Sequence, residues 1–287
     1  MKKIALLLFL TILASLLPAQ QAQARRKTRR GARAAAQAPQ PTITHRTLEC
    51  DGVTLLYDSI DAPAYYKVSK DAAGFSNGYS DNSFAIDWPT SLNGSDAEAL
   101  RRALLTWLTA GNADPLPTID RLVKERTKCD FNAGGAPRRV AKLPGGDESE
   151  PLCDVSRVRV HRLTSKLLVY AWEYHGYYGG GTAASTAYET AFLNYDLAAG
   201  RVLTLDDVLR PEAVHVLEAE LKNNADEWDF LWDEFKAAPR LSDRFCIEAD
   251  KILFCYDKYR VAPGLAGQVI IELPLSALAP YLKIDIQ

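Results

Sequence analysis

The stretch Tyr174 to Tyr188 reads YHGYYGGGTAASTAY, with one histidine, four tyrosines and three consecutive glycines. A histidine can move a proton, tyrosines offer a flat ring with a hydroxyl, and glycines let a ligand approach bare backbone. His175, Tyr177, Tyr178, Gly179 and Gly180 are therefore candidate ligand-binding residues. The plainer reading of the same stretch is a turn between two strands. Of the other histidines, His161 sits on an alternating strand pattern and reads as a surface residue, and His215 reads as an ordinary helix residue. There is no G-x-S-x-G, so scattered Ser, His and Asp do not amount to a nucleophile triad.

Five cysteines follow the leader: Cys50, Cys129, Cys153, Cys246 and Cys255. RFCIEADKILFCYDKY alternates as two strands, and a turn at Asp250-Lys251 would set Cys246 opposite Cys255. That register predicts a cross-strand disulfide on the outer face, away from the Phe/Ile face. Cys129 and Cys153 flank a Gly/Pro-rich loop and form a second candidate pair, which leaves Cys50 over. With no C-x-x-C and no histidine beside a cysteine, neither a metal site nor a cofactor is expected.

These residues need strands to hold them. VTLLYDSI (53–60), YYKVS (65–69) and SFAIDW (83–88) read as strands. SDAEALRRALLTWL reads as a helix opened by a capping box of Ser95 and Glu98, with Ala97, Leu100, Leu104, Trp107 and Leu108 on one face. ADPLPTIDRLVKERTK suggests a shorter helix. VSRVRVHRL and KLLVYAWEYHGYY are strands joined at Thr164-Ser165, and strand patterning resumes through Phe192 and Tyr195. Thr204 caps a helix, and 211–238 reads as helical apart from one seven-residue gap in its apolar spacing. GQVIIELP is a further strand, followed by a short helix. The pattern is α+β, with mainly antiparallel sheets packed on two principal helices.

At 287 residues, 47% hydrophobic and 24% charged, the chain is globular in composition. Residues 1–24 carry two lysines, an apolar run from Ile4 to Leu17 and an A-x-A at Ala22 and Ala24, the marks of a cleaved signal peptide. The apolar run is too short to span a bilayer as a helix. Six basic residues crowd 25–33, and residues 25–44 read as a basic, Pro/Ala/Gln-rich linker. Beyond residue 33 lie 26 basic residues against 36 acidic ones, a net charge of −10 that disfavours nucleic-acid binding. Export would place the protein in the bacterial periplasm or outside the cell. Residues 45–150 are read as a smaller N-terminal α+β sub-domain and 151–287 as the C-terminal one.

YYGGG, then NYDLAAGRVLTLDDVL, then FCIEADKILFCYDKYRVAPGLAGQVIIELPLSAL together resemble the extracellular domain of RsiV-type anti-sigma factors, found also beside some peptidoglycan deacetylases. Asn194, Tyr195, Asp196, Gly200, Leu203, Leu205 and Asp207 match the second motif. Phe254, Tyr256, Tyr259, Val261, Ala262, Pro263 and Gly267 match the third. FAIDWPTSLNGSDAEALRRALLTWL is similar to the smaller partner domain, so the resemblance covers roughly 45 to 285. The family commonly follows its paired glycines with Ala-His, and GGGTAAS has no histidine. The resemblance implies an envelope domain, some members of which bind lysozyme. It adds Asn194 and Tyr259 to the candidate ligand-binding residues, although Asp196 reads first as a turn former and Tyr256 and Tyr259 as ring filling. The deacetylases use an H-x-x-x-H metal site that is missing here. The expected function is binding of an envelope protein or cell-wall glycan without catalysis; the alternative is a cell-wall hydrolase or deacetylase with an unrecognised site.

Overall fold

The computed structural model describes residues 38–68, 78–110, 118–131, 136–144, 151–179 and 186–285. The stretch read as a signal peptide, most of the stretch read as a linker, and Gly180 lie outside these residues. Strands β1 (Thr42–Cys50) and β2 (Val53–Ala62) form a hairpin whose turn, Asp51-Gly52, has positive φ at both positions. Such a turn matches the twist of the strands it joins, and Asp-Gly adopts it readily. β1 begins inside the stretch read as linker. Short β3 (Tyr65–Lys67) and β4 (Tyr79–Asp81) follow, then β5 (Phe84–Leu92) and β6 (Ser95–Asp96), joined by a second positive-φ turn at Asn93-Gly94.

Ser95 thus belongs to a strand and not to a helix cap. Helix α1 (Glu98–Leu108) starts after Ala97 without a side-chain cap, and Asp96 instead takes a paired hydrogen bond from Arg101 at 2.8 and 2.9 Å. Helix α2 (Ile119–Arg126) is capped by Thr118. β7 (Arg138–Val140) is followed by the long strands β8 (Leu152–Leu163), β9 (Leu167–Tyr177) and β10 (Thr186–Asp196), then β11 (Arg201–Val202).

β8 joins the sheet together. One edge pairs antiparallel with β9, and the other runs parallel to both β4 and β5, so strands from before and after residue 150 share one sheet. β10 pairs with β9. Both faces of the sheet are covered, which explains why Leu167 to Ala171 of β9 are all buried and read as an unbroken apolar run. Even-numbered β9 residues, Leu168 and Tyr170, pack with Leu100, Leu104 and Leu108 of α1 and Leu122 of α2. Odd-numbered Leu167 and Val169 face a second core.

That second core is built by α3 (Leu205–Val208), α4 (Val214–Asn223), α5 (Asp233–Ala237), the three-stranded sheet β12 (Phe245–Ile247), β13 (Lys251–Tyr256) and β14 (Val269–Pro274), and α6 (Leu275–Leu278). The 211–238 stretch is not one helix. It breaks after Asn223, within the seven-residue gap between Leu221 and Trp228, where the exposed Ala225 stands among polar residues and no large apolar side chain holds a further turn to the core.

The β12–β13 hairpin turns one residue earlier than expected. Phe245 pairs with Phe254, Cys246 with Leu253 and Ile247 with Ile252, with the Glu248 N–H bonded to the Lys251 carbonyl at 2.9 Å. Cys246 and Cys255 are therefore diagonal neighbours and not opposite one another. They carry no disulfide, and both are fully buried because the hairpin has protein on both faces. Cys129 and Cys153 are likewise not bridged: Cys129 packs with Val68 and Leu152, while Cys153 contacts His175.

Candidate functional site

Successive residues of β9 point to opposite sides of the sheet, and this separates the candidates. His175 and Tyr177 lie on the side of the second core, with Tyr188 directly across from His175 on β10. Their rings are stacked, centroids 4.3 Å apart at 9°, and Tyr188 is 65% exposed. Cys153 of β8, across from Tyr177, places its sulfur 3.5 Å from His175 Nδ1.

Tyr178 belongs to the other side. Trp172 and Tyr174 stack there, centroids 5.5 Å apart at 10°, the Tyr174 and Tyr178 hydroxyls touch, and Phe131 meets Tyr178 at 6.0 Å. Gly176 makes this possible. A Cβ at that position would come within 2.5 Å of the Tyr174 hydroxyl, so the tyrosine ring lies across bare backbone. Burial and the neighbouring Tyr178 and Asp154 drive the Tyr174 hydroxyl far above its ordinary pKa, so it stays a proton donor. Tyr178, half exposed, completes an aromatic strip along the edge of this face.

Asn194 is elsewhere. It is buried, its amide donating to the Phe245 carbonyl at 2.8 Å and accepting from the Ile247 N–H at 3.0 Å. It joins the large sheet to β12. Asp196 accepts from the N–H groups of Ala198 and Ala199, both at 2.8 Å, which is the turn role its position suggests.

Tyr259 has positive φ and is 55% exposed, its ring lying over Gly264 where any Cβ would collide with it. The preceding Lys258 donates to the Thr186 carbonyl at 3.1 Å and lies 5.5 Å from the Tyr259 ring centre, so this loop sits against the start of β10. Gln268 lies further along the same edge, its amide bonding both N–H and carbonyl of Thr190 at 2.8 Å. The amide occupies the place of a neighbouring strand and closes an edge that another chain could otherwise extend.

The structure thus brings His175, Tyr177 and Tyr188 together, with Tyr259 on a loop docked at the same end of the sheet, and separates Tyr178 and Asn194 from them. Gly179 ends the described part of the loop. Tyr188 and Trp172 were not singled out from the sequence, because only the strand register shows which rings meet.

Two further groups come from the tertiary structure alone. An open cleft of about 380 Å³ is lined by Arg240, Arg244 and Arg260, with Asp243, Asp257 and Tyr256 among them. Arg244 is engaged by Asp257, and the Tyr256 hydroxyl donates to the Arg240 carbonyl at 2.8 Å. On another side of the hairpin, His161 and Glu248 meet at 2.6 Å beside Cys246. No histidine neighbours a cysteine along the chain, yet two do so in space.

Among the described residues no helix is long and apolar enough to cross a membrane. The chain has no match among curated proteins. Among solved structures it is similar to a DUF3298 family member from Bacteroides fragilis, at 19% identity over 80% of this chain and 94% of that one, with a TM-score of 0.55. It is also similar to a DUF3298 family protein from Pseudomonas aeruginosa PAO1, at 16% identity over 84% of this chain and 95% of that one, with a TM-score of 0.49. The first likeness speaks for the fold alone. In sequence, residues 205–276 match the model of the protein family of unknown function DUF3298. The matched segment is the one that builds α3 to α5, the second sheet and the Tyr259 loop.

Proposed function

We propose that this protein is an exported bacterial envelope domain that binds a lysozyme-like protein or a cell-wall glycan without catalysing its conversion. The observation that carries this reading is the aromatic end of the β9–β10 hairpin. Trp172, Tyr174 and Tyr178 line one side of it, and the exposed Tyr188 ring lies flat on His175 on the other. Tyrosine gives broad contact area while fixing few rotatable bonds, and flat exposed rings suit both sugar faces and protein loops. The 1–24 leader supports export, and the resemblance of the motifs at Asn194 to Asp207 and Phe254 to Gly267 to lysozyme-binding envelope domains supports the ligand class.

The test is retention of the mature protein on immobilised lysozyme and on insoluble peptidoglycan, with soluble products assayed in parallel. Retention on either material, lost in Tyr188→Ala or Tyr178→Ala variants of unchanged stability, supports the reading. Release of product, or retention unaffected by both substitutions, overturns it.

A further inference from the structure

We propose that His161, Cys246 and Glu248 form a zinc site, holding Zn²⁺ through the imidazole Nε2, the sulfur and a carboxylate oxygen, with a fourth position open to solvent. Their donor atoms all lie within 4.8 Å of one another: His161 Nε2 is 2.6 Å from Glu248 Oε1, which is 3.5 Å from Cys246 Sγ. Imidazole, thiolate and carboxylate are all zinc ligands, and three protein ligands with one open position is the composition of sites that also take water or an outside ligand. Tetrahedral zinc with bonds of about 2.0–2.3 Å sets its donors roughly 3.3–3.6 Å apart. The sulfur to carboxylate spacing already meets this, and the imidazole to carboxylate contact needs to open by about 1 Å to admit the ion.

The fold builds the arrangement from three separate features. A bulge in β8 between Val160 and Arg162 adds one residue against β9, so that His161 and Arg162 both reach toward β12. Phe192 of β10 meets the His161 ring edge-on at 5.4 Å and fixes its plane. The tight turn after Ile247 brings Glu248 back beside Cys246. Cys246 is fully buried, whereas the side chains of His161 and Glu248 are 35% and 22% exposed, so the ion would enter from solvent and meet the sulfur at the floor of the site. Arg162, bonded to the Ile247 carbonyl at 3.1 Å, places a positive charge beside the site and offsets part of the attraction for the metal.

Binding is balanced in protons. The Cys246 S–H bond breaks, the Zn–S bond forms, and the proton leaves to solvent, while His161 ligates as neutral imidazole and Glu248 as the carboxylate. Because Cys255 lies diagonal to Cys246 in the hairpin, the thiols are kept reduced in the test.

The full mature protein is stripped with chelator, reduced, and titrated with Zn²⁺ against a chromophoric competitor, then with Co²⁺ to read the sulfur-to-cobalt charge-transfer band. We expect one metal per chain, one proton released, and a charge-transfer band lost in Cys246→Ser. His161→Ala and Glu248→Gln, at more exposed positions less prone to misfolding, should each weaken zinc binding at least tenfold. Cys153→Ser, which alters the other cysteine beside a histidine, should change nothing. No binding in the micromolar range, or binding untouched by His161→Ala and Glu248→Gln, would overturn the proposal, as would a band that disappears in Cys153→Ser instead.

Discussion

Asn194 accepts a hydrogen bond from the Ile247 backbone at 3.0 Å across 53 residues of sequence, and its other end donates to Phe245. One amide thus satisfies a donor and an acceptor on the free edge of β12. Asn194→Ala removes both bonds and leaves the two backbone groups buried, which should cost about 2–4 kcal/mol. The measurement is the urea midpoint. A shift equivalent to less than about 0.5 kcal/mol would show that water or a neighbour replaces the amide.

Asp207 answers to pH. Arg201 pairs with it through two bonds of 2.8 Å, and the Thr204 backbone and hydroxyl add to the effect, so its carboxyl is held well below the usual range. The folded pKa lies below the unfolded one, so this contribution is complete above the ordinary aspartate value of about 3.9 and is lost as pH falls beneath it. Asp207→Asn should flatten the acid limb of the stability profile between neutral and strongly acid pH. Thr204→Ala, which removes the other half of the same capping box, should cost about 1 kcal/mol at neutral pH.

Gly176→Ala tests the aromatic strip. The added methyl displaces the Tyr174 ring from Trp172, at a cost of about 1 kcal/mol for overpacking near the surface. The near-ultraviolet circular dichroism of the stacked pair should change, and retention of the ligand should weaken. In a Tyr174→Ala background the same substitution should be close to neutral, since the atoms it collides with are gone. Equal costs in both backgrounds would place the strain in the backbone instead.

The thiols should separate by burial. Cys255 is fully enclosed and burial pushes its thiol up to about 12, opposed by Arg244, while burial and Glu248 drive Cys246 higher still. Thiolate is the reacting form. At mildly alkaline pH an aromatic disulfide reagent should modify Cys50 first, with Cys246 and Cys255 reacting only as fast as the protein unfolds. Rapid modification of all five in the native protein would contradict the burial described.

Much of the local structure was legible along the chain. Alternation placed β2, β5, β8, β9, β10 and β14. The match of Thr204 and Asp207 to a cap was visible as spacing, and so was the Asp196 turn, because each is made by residues within four positions of one another. The helical pattern at 211–238 even carried its own break, as the gap where α4 stops. β1 was missed because its side chains are mostly exposed, so no apolar face marks it.

What the sequence by itself determined is therefore the α+β class, most of the elements, and the presence of a tyrosine- and glycine-rich hairpin end. Register and bulges were decided only by the tertiary structure. A hairpin turn moved by one residue takes Cys255 from opposite Cys246 to diagonal, because the move shortens one strand by a residue as it lengthens the other, so every pairing shifts by two and Cys246 meets Leu253. One extra residue in β8 carries His161 and Arg162 to β12 together. Asn194, read as a pocket residue, is buried because the second sheet needs its free edge closed. Those outcomes depend on which faces find a core to cover, a question settled between elements 50 to 90 residues apart and written in no single stretch of the chain.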